Sequence, residues 1–184
     1  MVKSLKYSTN GPSQTKKIGE ILGQEILKTK LEKTAFVTAL EGDLGGGKTT
    51  FLQGFAKGLG IEEKILSPTF VIVKRFHVPE RSEGWRRSQK QVSSPVSPSA
   101  RRTNVLRLPR SMFHDFYHID CYRIRKPKEI LDLGFKKIIS DPENIIAIEW
   151  ADRIKNFLPK NALVLKFKFI NKLNRKIVLE FNNG

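Results

Sequence analysis

Cysteine is nearly absent from this chain. Cys121 stands alone, so no disulfide can close within it, which fits a reducing cytosol. No stretch approaches the ~20 consecutive apolar residues that a membrane-spanning helix needs. The start, Met1-Val2-Lys3-Ser4-Leu5-Lys6-Tyr7, lacks an apolar run followed by a small-residue cleavage site, which points away from secretion. These absences predict a soluble, cytoplasmic protein with no membrane partner. Acidic residues are also scarce, 18 against 34 Lys and Arg, for a formal charge of +16. Such an excess draws polyanions such as RNA in a salt-dependent way. Lysines scattered over a solvated surface give the same count, and no aromatic–basic motif of an RNA module is present, so charge alone does not establish RNA contact. Apolar residues make up 39% of 184, enough for one domain with a real core and short for two.

The apolar pattern alternates between helix and strand periods. Ser13 is a candidate N-cap for a helix to about Lys28, with Ile18, Ile21, Leu22 and Ile26 at helical spacing. Ala35–Leu40 is a short apolar run suited to a buried strand, and it runs straight into a glycine loop. Beyond the loop, Leu52, Phe55, Ala56 and Leu59 mark the inner face of a helix that Gly60 ends. Strands are expected at Phe70–Phe76, Phe116–Tyr122 and Asn144–Trp150, with a helix opened by Pro127 and another from Ala151 to Phe157. The closing strands, Leu163–Ile170 and Lys176–Phe181, alternate in polarity as half-exposed antiparallel strands do. Interleaved strands and helices predict an α/β fold with a mixed sheet. One segment, 78–111, is rich in Ser, Pro and Arg with only Glu80 and Glu83 as acids. Few of its residues can anchor a core, so it reads as a flexible basic insertion into a single 1–184 domain.

Gly42-Asp43-Leu44-Gly45-Gly46-Gly47-Lys48-Thr49 matches the full P-loop pattern, G-x-x-x-x-G-K-T. Its glycines let backbone N–H groups turn toward phosphate oxygens, and the helix that starts there points its positive end at them. Lys48 would neutralise β/γ-phosphate charge, and the Thr49 hydroxyl would ligate Mg²⁺; Thr50 lies one position too far for that ligand. The loop follows a predicted strand and opens a predicted helix, as the pattern requires. A P-loop magnesium site is completed by an acid at a strand end, for which Glu149 and Asp120 are the candidates. In Ser67-Pro68-Thr69, a hydroxyl can contact the γ-phosphate or simply cap a turn. His118, Asp120 and Tyr122 alternate along one predicted strand and so share a face, lining a pocket or forming a structural patch. Cys121 then points the other way, as a buried small residue. No guanine-reading Asn/Thr-Lys-x-Asp signature is visible, which favours ATP.

Taken together, Gly42–Phe51, Ser67-Pro68-Thr69-Phe70, His118-Ile119-Asp120-Cys121-Tyr122-Arg123 and Glu149-Trp150 resemble the TsaE (YjeE) family. The resemblance runs from about Thr15 to Pro159, skips the basic insertion, and includes Ile130-Leu131-Asp132-Leu133-Gly134. It implies a P-loop NTPase-like three-layer sandwich with a mostly parallel sheet. The function implied is that of a small bacterial ATPase for threonylcarbamoyladenosine in tRNA, docked on a TsaB–TsaD heterodimer that carries the transferase chemistry. By motif, residues 42–50 hold the phosphates of ATP, and Thr49 with Glu149 coordinates Mg²⁺. Thr69 senses the γ-phosphate, Asp120 orients or deprotonates the attacking water, and Trp150 sits beside the nucleotide.

Two departures stand out. Gly46 replaces the family's usual alanine, and an insertion of about 30 residues precedes Phe113. The insertion is expected to be a disordered basic arm, and tRNA is expected to be met indirectly or through it. Two other readings remain. A small P-loop metabolite kinase would use Arg101, Arg102, Arg107 and Arg110 as a lid. A nucleotide-gated RNA-binding module would bind tRNA without turnover.

Overall fold

The computed structural model describes residues 2–66, 72–79 and 112–182. Seven strands form one mixed sheet, and their order follows from which runs are apolar on both sides. Strand β5 (Asn144–Glu149) is buried at every position, as a central parallel strand must be. It lies between β2 (Phe36–Gly42) and β4 (Asp115–Asp120), parallel to both, and β6 (Leu163–Phe169) runs parallel on the far side of β2. Antiparallel strands complete the edges: β3 (Val73–His77) on β4, then β7 (Arg175–Asn182) on β6 and β1 (Val2–Thr9) on β7. The full order is β1-β7-β6-β2-β5-β4-β3.

Alternation along the strands sends side chains into a separate core on each face. On one face Leu40, Ile145, Ala147, Leu165, Phe167 and Ile177 pack beneath α1 (Pro12–Ile26) and α2 (Lys48–Gly58). On the other, Val37, Ala39, Ile119, Ile146 and Ile148 meet α3 (Glu129–Asp132), α4 (Phe135–Ser140) and a 3₁₀ helix at Ala151–Phe157. An aromatic chain under α2 ties it to three strands: Phe51 to Phe167 at 5.5 Å, Phe55 to Phe116 at 5.6 Å and Phe116 to Phe76 at 5.8 Å between ring centroids. This anchors the helix whose first residues are Lys48 and Thr49.

The two helices on the first face touch backbone to backbone. A Cβ placed on Gly54 would lie 1.9 Å from the Lys16 carbonyl oxygen, and one on Gly19 would lie 2.2 Å from that of Phe51. The inward stripe of α1 is therefore Thr15, Gly19, Gly23 and Ile26, with Ile18 and Leu22 on its flank. Ile21, expected inside, is 48% exposed.

Several boundaries differ from the sequence reading. Ser13 is not an N-cap: α1 starts at Pro12, whose missing N–H suits a first position, with Gly11 before it. Strand β1 was not anticipated. The strand holding Asp120 ends there, so Tyr122 falls in the following turn and does not share its face. Pro127 lies in a turn before α3 rather than in a helix. The insertion begins later than 78, because Val78 is buried and its N–H donates to the His114 carbonyl at 2.8 Å. Its residues from 80 to 111, and the Phe70 start of the expected third strand, lie outside the described residues. Gly60 closes α2 as expected, at φ +84° with its N–H on the Lys57 carbonyl.

Candidate functional site

The turn from β2 into α2 is made by glycines at positive φ, a region that a Cβ disfavours: Gly42 at +112°, Gly45 at +70° and Gly47 at +99°. At Gly42 space is closed too, since a Cβ would meet the Phe167 carbonyl oxygen at 2.0 Å. No side chain caps the N-terminus of α2, so its first N–H groups remain able to receive an anion. The loop is held open from outside. Asp43 turns its carboxylate away to accept the Phe169 N–H at 3.0 Å, and Arg175 Nε donates to the Gly45 carbonyl at 2.7 Å.

Lys48 is 5% exposed and folds back over the loop, where its Nζ donates to the carbonyls of Gly42 and Asp43, each at 2.8 Å. The same ammonium lies 3.7 Å from the centre of the Trp150 ring. Burial pushes its pKa below the ordinary lysine value, against the opposing pull of Glu149, Asp152, Asp120 and Asp43. Trp150 presents its ring from a left-handed backbone (φ 57°), alone among the described non-glycine residues. Tyr122 packs on it at 5.2 Å between centroids.

At the C-terminal ends of β4 and β5, on the α2 face, Asp120 and Glu149 are register partners. Glu149 is buried and bonded by two side chains, Thr49 and His118. The Thr49 hydroxyl approaches its two carboxylate oxygens at 2.9 and 3.1 Å, and His118 Nε2 hydrogen-bonds to Oε1 at 3.0 Å. Asp120 is 7% exposed, and its Oδ1 accepts the Tyr122 N–H at 2.9 Å. His118 and Asp120 thus share a face as expected, while Tyr122 contributes through its backbone. Cys121 is buried on the opposite face with its thiol pushed up to about 12 by burial, so it is no nucleophile at neutral pH.

A cavity of about 220 Å³ opens here, lined by Leu44 to Thr50, Glu149 and Trp150. Gly42 and Asp43 stay behind it, engaged with Lys48 and Phe169. Sequence reasoning missed the opposite wall: Gly11, Pro12 and Thr15 from the start of α1, and Lys172, Leu173 and Arg175 from the β6–β7 turn. Nothing local marks those residues; only the sheet order brings them there. Thr69 lies outside the described residues. Hard oxygens on Thr49 and Glu149 suit a cation of the Mg²⁺ kind, which takes one or two protein ligands and completes its shell with water and phosphate. No group of three or more His, Cys, Asp or Glu that could hold a metal ion occurs among the described residues.

The fold and site define an α/β protein with a lysine-bearing glycine turn at the C-terminal ends of parallel strands, walled by residues from both chain halves. The model for the family "Threonylcarbamoyl adenosine biosynthesis protein TsaE" matches residues 9–86 and 83–177. The chain is 32% identical over 176 residues to the tRNA threonylcarbamoyladenosine biosynthesis protein TsaE of Bacillus subtilis (strain 168), covering 96% of this chain and 85% of that one. To the protein of the same name from Treponema pallidum (strain Nichols) it is 27% identical over 150 residues, covering 82% and 85%. The crystal structure of Bacillus subtilis YdiB superposes with a TM-score of 0.62 at 29% identity, covering 98% of this chain and 87% of that one. The chain belongs to the TsaE family, and so to the proteins of tRNA threonylcarbamoyladenosine biosynthesis. Among the described residues no helix is long and apolar enough to cross a membrane.

Proposed function

We propose that this chain is a Mg²⁺-dependent ATPase of the P-loop class, a three-layer sandwich by architecture, acting in the cytoplasm beside a TsaB–TsaD heterodimer. The observation that carries this reading is the Thr49 hydroxyl on the buried Glu149 carboxylate at 2.9 Å, directly beside Lys48 at the glycine turn. Two oxygen donors, a buried ammonium and uncapped helix N–H groups form the set that phosphoryl chemistry needs. In this reading Lys48 leaves the Gly42 and Asp43 carbonyls for the β- and γ-phosphates. Loop amides among the cavity-lining residues from Leu44 to Thr50 hold the remaining phosphate oxygens, and Thr49 with Glu149 would hold the cation. Bound there, Mg²⁺ would supply neutralisation of phosphate charge. His118 holds Glu149 in place, and Asp120, fixed by the Tyr122 N–H, receives the proton of the attacking water. Trp150 flanks the nucleotide, and Thr69 senses the γ-phosphate. Hydrolysis then resets or drives the partner complex, which carries the transferase chemistry.

Steady-state ATP turnover tests this, measured alone and with TsaB–TsaD, alongside Lys48→Ala and Glu149→Ala. Low turnover that rises with the partners and disappears in both variants is expected. Turnover that ignores the partners and requires a small-molecule phosphate acceptor would replace this reading with a metabolite kinase.

A further inference from the structure

Strands β7 and β6 bury one face, through Ile177, Leu179, Leu165 and Phe167, and with β1 beside them leave the other to solvent. On that open face the register sets Ser8, Lys176 and Lys168 in one row, and Lys6, Val178 and Lys166 in the next. The acids lie at one end. Glu180 pairs with Lys166 at 2.8 Å, and Glu41 sits opposite Lys166 in register. Lys6, Lys168 and Lys176 have no acidic partner among the described residues, and Lys168 stands directly across from Lys176. Like charges so placed oppose strand pairing, so folding alone gives no reason for them. The same strands lead to Lys172 and Arg175 at the rim of the cavity.

We infer that this open sheet face is a binding surface for the sugar–phosphate backbone of RNA, with Lys6, Lys168 and Lys176 as its phosphate contacts. An acidic protein is the less suitable occupant. Protein interfaces are depleted in lysine and centred on buried aromatic anchors, whereas this face offers lysines, two serines and two half-covered valines, with Glu180 and Glu41 at one end. Lysine as a mobile point charge fits phosphate oxygens, and a family devoted to tRNA modification brings such a polyanion to hand. The proposed contacts all lie on sheet strands, and none of them lines the nucleotide cavity. Their role therefore stands or falls without regard to ATP turnover.

Binding of the full-length chain to labelled, unmodified tRNA without nucleotide, followed by anisotropy from about 50 to about 300 mM KCl, tests the inference. In Lys6→Gln/Lys168→Gln/Lys176→Gln the slope of log affinity against log salt should shrink by about 2 to 3, close to one per lost phosphate contact. Lys128→Gln/Lys136→Gln/Lys137→Gln removes equal charge from α4 and the turn before α3 and should change it far less. Lys168→Arg/Lys176→Arg should bind like the parent, which separates charge from fold. Unchanged tRNA binding in the first triple variant, or equal losses in both triple variants, would overturn the inference. So would retained tRNA affinity with lost TsaB–TsaD association, which assigns the face to a protein.

Discussion

Replacing Gly54 by alanine sets local propensity against packing. An alanine in the middle of a helix gains about 1 kcal/mol over glycine, and α2 places Gly54 six residues inside its start. On propensity the substitution stabilises. The packing says otherwise: the new methyl carbon would sit 1.9 Å from the Lys16 carbonyl oxygen and 2.6 Å from its carbonyl carbon. Backbone cannot rotate aside as a side chain can, so α1 and α2 must separate by more than 1 Å to reach ordinary contact. That separation lifts Phe51, Leu52 and Phe55, all fully buried, from the sheet. Overpacking of a tight core costs about 1–3 kcal/mol, and an immovable neighbour puts this case at the upper end or beyond. Net of propensity, a loss of about 2 kcal/mol is expected, or about 4–8 °C in Tm for a chain of this size. Urea unfolding followed by far-UV circular dichroism measures it. Gly23→Ala, aimed at the Phe55 carbonyl at 2.4 Å, should behave alike. Gly134→Ala, at φ +75° with nothing within 4 Å, should lose only the roughly 1 kcal/mol of left-handed strain. A Gly54→Ala protein as stable as the parent, or more so, would refute the close approach of the two helices.

Thr38→Val should raise stability by about 1 kcal/mol in the same assay, because the Thr38 hydroxyl is buried without a hydrogen-bond partner among the described residues. His118→Leu should lower it by about 1–3 kcal/mol, since Glu149 loses a buried hydrogen-bond partner, while His118→Gln should retain part of that loss. Burial, with Asp152 adding, holds the Glu41 carboxyl above its ordinary 4.5, while Lys166 and Lys155 pull the other way. The folded state then binds a proton more tightly than the unfolded state, so this group's contribution declines as pH rises through and above 4.5. Glu41→Gln should accordingly stabilise the protein at pH 7 and lose that advantage below about pH 4, as melting curves across that range would show.

Local signals reached the glycine turn, Lys48, Thr49 and Glu149, because each rests on neighbours in sequence: a strand before, a helix after, an acid at a strand's end. They reached the central strands for the same reason, since Ile145–Ile148 is apolar on both faces and its burial needs no knowledge of partners. They did not reach β1, whose Leu5 and Tyr7 alternate with Ser4, Lys6 and Ser8 but remain substantially exposed, so the contrast between its faces is weak. The Arg175 wall of the cavity was hidden as well. Its contact with Gly45 spans 130 positions and exists only because β6 pairs with β2. Ile21 was misplaced because two glycines, invisible to a hydrophobicity count, carry the inner stripe of α1. Tyr122 was misplaced because Asp120 accepts its N–H and turns the chain out of the strand.

The hydrogen bond from Val78 to His114 has a consequence for how this chain tolerates change in length. Both ends of the intervening segment are already held together by the antiparallel β3–β4 ladder at the sheet's outer edge. Closure by a ladder tolerates change in length, since for a flexible loop doubling the length costs only about 0.6 kcal/mol. Residues can be gained or lost there over evolutionary time with little penalty and no displacement of Glu149 or Thr49. The same number added between Gly42 and Lys48 would destroy the turn that joins them. One ladder at the rim thus divides the chain into a part whose length is constrained and a part whose length can drift.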